Sequence, residues 1–87
     1  MKALATTTIE KVLSNIGTPV LDKVEKRLYK EYHCYIPDCY DHPEYLESVL
    51  KSLYGKAHMA IVDQIREELL EQMSDKGIRK LVTTIGS

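Results

Sequence analysis

Four residues in a ten-residue span, His33, Cys34, Cys39 and His42, carry side chains able to bind a soft metal ion or to do thiol chemistry. Thiolates combined with imidazoles suit a four-coordinate zinc. The spacing departs from the common structural zinc patterns, since neighbours at 33 and 34 cannot aim at one centre while helix geometry holds them, and no metal or other cofactor is expected. A disulfide between Cys34 and Cys39 is the stronger bond. The two lie five positions apart with Pro37 between them, and a turn there brings the side chains within reach. So small a loop limits the stabilisation to about 2 kcal/mol. The alternative is a pair of reduced, half-buried thiols. A catalytic thiol has His33 or His42 near it in sequence but no orienting acid or oxyanion pocket, so enzymatic activity is not expected.

Five of the six tyrosines, Tyr29, Tyr32, Tyr35, Tyr40 and Tyr45, fall within 17 positions. Tyrosine buries area at modest entropic cost and still satisfies its oxygen, which fits an interaction surface that includes Tyr35 and Tyr40 and equally fits packing between helices. Asp63, Glu67 and Glu71 recur every four residues, the pattern of a solvated acidic helix face; without an opposed wall they do not make a hydrolytic pair. His58 reads as a partly buried helix residue. The sequence has no glycine-rich phosphate loop, dinucleotide fingerprint or zincin histidine pair. Lys23, Lys26, Arg27 and Lys30 form a basic strip that could meet phosphates, with Arg79 and Lys80 in support. In a helix-turn-helix, however, the next helix would present Glu44 and Glu47 against Lys51 alone, which is unfavourable beside a negative duplex.

Positioning these residues falls to helices read from apolar spacing. Ile9, Val12, Leu13 and Ile16 mark a short first helix, with Thr7 and Glu10 in the form of a capping box and Gly17 closing it. Thr18 and Pro19 restart the chain, and Val20, Leu21, Val24, Leu28 and Tyr32 give one stripe over about 19–33. Residues 34–42 break the pattern at Pro37. Pro43 opens a third helix with Tyr45, Leu46, Val49, Leu50 and Leu53 inward, and Gly55 makes a corner. From Lys56 a longer helix turns Ile61, Val62, Ile65, Leu69 and Met73 inward and ends before Gly77. Ile78, Leu81, Val82 and Ile85 are too apolar for a frayed terminus. They either fold back over the core or bury against a partner, as candidate interface residues. Tyr35-Ile36 and residues 82–85 are the two places that could be short extended pieces.

The expected fold is therefore all-α: a bundle of three or four main helices plus a short apolar C-terminal segment. The 87 residues, 44% of them hydrophobic, suit a single domain, with a core over about 9–73 and residues 78–85 as a packing or interface tail. A net charge of −1 leaves no global basic field for non-specific nucleic-acid binding. Residues 1–33 hold six basic and four acidic side chains, 34–75 three and nine, and 76–87 three and none. That asymmetry permits head-to-tail or subunit pairing. No apolar run approaches a membrane span, and residues 1–6 lack the apolar stretch of a signal peptide, so a cytoplasmic location is expected.

The run from Cys39 to Leu46, followed by Leu53-Tyr54-Gly55 and preceded by Cys34, resembles an archaeal family of small domains, the Nitrosopumilus output domain family. The resemblance covers about residues 9–73. It implies a terminal or standalone module that acts as an output or interaction unit in signalling, with no catalytic residue to carry over. Cys34, Cys39, Tyr40, Pro43, Tyr45, Leu46 and Gly55 match the signature as architecture around the connection and the third helix. An archaeal origin would favour an intracellular disulfide.

These readings converge on a non-catalytic helical protein-interaction module, expected to be a homo-oligomer such as a homodimer, that buries its apolar tail and tyrosine-rich connection in a partner. A regulatory nucleic-acid-binding domain and a small thiol or metal protein are the alternatives.

Overall fold

The first helix, α1 (Lys2–Ile16), repeats apolar or small side chains every three or four residues, and Ala5, Thr8, Ile9, Val12 and Leu13 are buried on one face. The fold is seen in a computed structural model that describes residues 2–86. Starting at Lys2, α1 runs straight through the expected capping box. Thr6 bonds instead to the carbonyl of Lys2, one turn back, at 2.9 Å, and Thr8 faces the core. Helical propensity in this stretch is overruled by the apolar face it can bury.

Gly17 separates α1 from α2 (Thr18–Tyr32), and it is this glycine, not Thr18, that occupies the N-cap. Its carbonyl accepts the Val20 amide at 2.9 Å. Pro19 sits in the first turn, where a missing amide leaves no bond unmade. The helix ends at His33, which adopts left-handed backbone (φ 52°) and donates its amide to the Tyr29 carbonyl at 2.9 Å. One 3₁₀ turn, Ile36–Tyr40, fills the sequence break. Asp38 accepts the Tyr35 amide at 2.8 Å, and Ile36 and Cys39 point inward.

Pro43 then opens α3 (Pro43–Tyr54), which buries Leu46, Val49 and Leu50 and stops at Gly55 (φ 56°, ψ −131°), a conformation that side chains disfavour. A short turn leads into α4 (His58–Leu69) with Ile61, Val62, Ile65 and Leu69 inward. A third 3₁₀ turn, Leu70–Gln72, follows the one at Gly55–Ala57, and α5 (Lys76–Ile85) completes the fold.

The helices make a compact all-α bundle of about 31 × 24 × 22 Å, with no strand among the described residues. Of the two short extended pieces that the sequence allowed, residues 82–85 are helical and Ile36 enters a 3₁₀ turn, while Tyr35 alone keeps extended backbone. Helix α1 packs against α2, α4 and the first 3₁₀ turn, while α3 packs against α2, α4 and α5. The apolar tail is itself a helix of that core: Ile78, Leu81, Val82 and Ile85 are all buried in their own chain. As interface candidates they are thereby corrected, because none is left for a second copy to cover. The core accordingly reaches from Ala5 to Ile85, beyond the expected span.

No helix among the described residues is long and apolar enough to cross a membrane. Two ion pairs at 2.9 Å, Lys2 with Asp41 and Lys11 with Glu68, link α1 to the chain before α3 and to α4. Both are exposed, so solvent screening leaves them only a minor part in stability.

Candidate functional site

Because Val24 and Leu28 turn inward, the register of α2 sends Lys23, Lys26, Tyr29 and Lys30 outward. The left-handed His33 then reverses the chain, and Tyr35 returns beside Tyr29. Their ring centroids are 5.7 Å apart at 35°, and the His33 ring meets Tyr29 edge-on at 5.7 Å. Tyr29 is 52% and Tyr35 62% exposed. Together with Glu25, Lys26 and Lys30 they line an open groove of about 420 Å³.

A second groove of about 350 Å³ shares Lys26 and Lys30 and adds Lys23, Arg27 and Leu53. Arg27 donates to the Ser52 hydroxyl at 2.8 Å, which fixes the basic strip against α3. Lys26 pairs with Asp22 at 3.0 Å, within α2. Ammonium groups beside two accessible aromatic faces can hold a carboxylate and shelter an apolar side chain next to it.

The other tyrosines serve the fold. Tyr32 and Tyr45 stack at 4.2 Å between α2 and α3, and His42 stacks on Tyr45 at 4.8 Å. Tyr40 is half-buried and donates its hydroxyl to Asp75 Oδ1 at 2.7 Å, so this interface candidate is engaged within the chain. That bond holds the Asp75 carboxyl below the usual carboxylate range and pushes the Tyr40 phenol up.

Cys34 and Cys39 are free, buried thiols, so the expected disulfide is not formed. Burial pushes the Cys34 thiol up and the Cys39 thiol up to about 12, the reverse of what a thiolate nucleophile or metal ligand needs. His33 and His42 are exposed and engaged with tyrosine rings. No three acidic, cysteine or histidine residues among the described residues are arranged to hold a metal ion. His58 is buried, with its Nδ1–H donated to the Gly55 carbonyl at 2.7 Å. Of the acidic ladder, Asp63 pairs with Arg66 at 2.8 Å, whereas Glu67 and Glu71 stand on the open surface.

Sequence reasoning grouped Tyr29 with the cluster but did not single it out. Its outward position follows from the i+3 and i+7 relation to Lys26 and Asp22 on the polar face of α2, a signal that was available. Tyr35 depends on the reversal at His33, for which the sequence offered none. No family model, curated protein or solved structure matches the chain, so the resemblance noted above stands on its quoted residues and the function must follow from the chemistry of this surface.

Proposed function

We propose that the chain is a non-catalytic helical interaction module, of the kind that serves as a signalling output unit. Its working face is the groove between Tyr29, Tyr35, Lys26 and Lys30. The observation that carries this reading is the pairing of two largely exposed tyrosines in mutual ring contact beside two lysines. Aromatic area exposed to water is a standing cost that a partner relieves on binding, and tyrosine is enriched where partners bind. The lysines set the partner's character: an acidic segment that also carries an apolar side chain.

Titration with a synthetic peptide of alternating glutamate and leucine, followed by the NMR signals of Tyr29 and Tyr35, tests this. Saturable shifts that vanish at high salt, and that a lysine-leucine peptide does not produce, are expected. Preferential binding of oligothymidylate would instead make the face a single-strand platform and overturn the reading. Absence of any response to the acidic peptide would overturn it as well.

A further inference from the structure

The most exposed large apolar side chain among the described residues is Leu70, at 63%, followed by Tyr35 and Tyr29. The three form two separate patches. Leu70 stands at the start of the 3₁₀ turn after α4, with the exposed carboxylates of Glu67 and Glu71 beside it in sequence. Arg66 is engaged with Asp63 and Lys11 of α1 with Glu68, while Lys76 lies beyond the turn at the start of α5. What remains is an apolar knob flanked by negative charge.

The groove on α2 differs in character: its aromatic walls carry Lys26 and Lys30 against the single carboxylate of Glu25, and Lys26 also pairs with Asp22 within the helix. Leu70 does not line the groove of its own chain; α2 packs on α1 and α3, whereas α4 packs on α1, α3 and α5. Resting on the reading of the α2 groove as a docking face, we infer that its occupant is the Leu70 knob of a second copy of this chain, with Glu67 and Glu71 meeting Lys26 and Lys30. Such a contact joins two unlike patches. Once one such contact has formed, the pair still keeps one free knob and one free groove, so the same contact can be repeated head to tail by further copies. The charge pairs lie at the rim, so they set orientation and association rate, while burial of Leu70 between the tyrosine rings slows dissociation.

The test uses two variants of the full chain, each blocked on one side. Leu70→Asp removes the knob, and Lys26→Glu with Lys30→Glu reverses the groove. All three positions are exposed, and circular dichroism confirms that the helices persist. In sedimentation at rising concentration the unmodified chain should grow beyond the monomer, whereas each variant alone should remain monomeric. Mixing the two should give a 1:1 heterodimer, since one supplies an intact groove and the other an intact knob. Adding Leu70→Asp to the groove variant should remove that heterodimer.

A monomer at all concentrations, or a mixture in which no heterodimer forms, overturns the head-to-tail contact. If the glutamate-leucine peptide still binds the unmodified chain in that case, the interaction-module reading stands and only the identity of the occupant fails. Loss of both signals rejects the two together.

Discussion

One oxygen of Asp75 accepts two hydrogen bonds, from the Tyr40 hydroxyl at 2.7 Å and from the Ile78 amide at 3.0 Å. The second caps the first turn of α5, and the first ties that cap to the 3₁₀ turn some thirty-five residues earlier. A single carboxylate thus pins the last helix to the connection between α2 and α3.

That clasp has a pH signature. Asp75 is held below its usual range, so its contribution is present above the ordinary carboxylate pKa and is lost as pH falls through the lowered one. Tyr40 is raised from 10.0, so its contribution is present below that value and is lost as pH rises through the higher one. Thermal unfolding should show a plateau between these limits. Tyr40→Phe should lower Tm by several degrees at neutral pH and flatten the alkaline decline. An unchanged profile in calorimetry would show that the bond contributes nothing in solution.

Gly77 lies within α5 where a Cβ would overlap the Tyr40 ring and hydroxyl. Gly77→Ala gains helical propensity yet must displace that ring, and a net loss of about 1–3 kcal/mol is expected in denaturant titration. With Tyr40→Ala already in place the same change should become neutral or stabilising. Equal effects in both backgrounds would mean that the close approach has no energetic weight.

Leu81 and Ile85 are fully buried in the chain's own core. Aspartate at either position should unfold the domain, not merely separate subunits, and Leu81→Ala should cost about 2–5 kcal/mol. Far-ultraviolet circular dichroism distinguishes the outcomes: retained helicity in Leu81→Asp would place the residue outside the core.

Cys39 has its thiol pushed from 9.0 up to about 12, which lowers the thiolate fraction about a thousandfold. Iodoacetamide at neutral pH should leave it unmodified in the native protein and label it in urea. Rapid labelling under native conditions would mean that the 3₁₀ turn opens readily.

The helical plan was legible because Leu28, Leu46, Ile65 and their neighbours repeat at the helical period and bury the faces that period defines. Gly17 and Gly55 punctuated it as expected. The start of α1 was misread because the Thr7 and Glu10 spacing has the form of a cap, while Ala5 and Thr8 supply a buried face one turn earlier. The side-chain cap of α5, at Asp75, follows Ser74 and has Gly77 two residues on, a context that reads as a helix end. The surface was harder still. Lys26 and Lys30 could be placed on one side of α2 from spacing alone, but their meeting with Tyr35 needs a left-handed histidine that no local pattern announces. The tail stayed open between packing on its own core and covering a partner for a related reason: an apolar stripe shows that a face must be covered and not by what.

That histidine has a consequence for how the chain can change. At φ 52° the backbone of His33 sits where glycine would be easier by about 1 kcal/mol, yet its imidazole braces the edge of Tyr29. Glycine there relaxes the corner and removes the brace. Lineages screened only for heat resistance should therefore drift toward a sturdier bundle with a slacker recognition face, whereas pressure to keep a partner should hold the histidine in its uncomfortable pose.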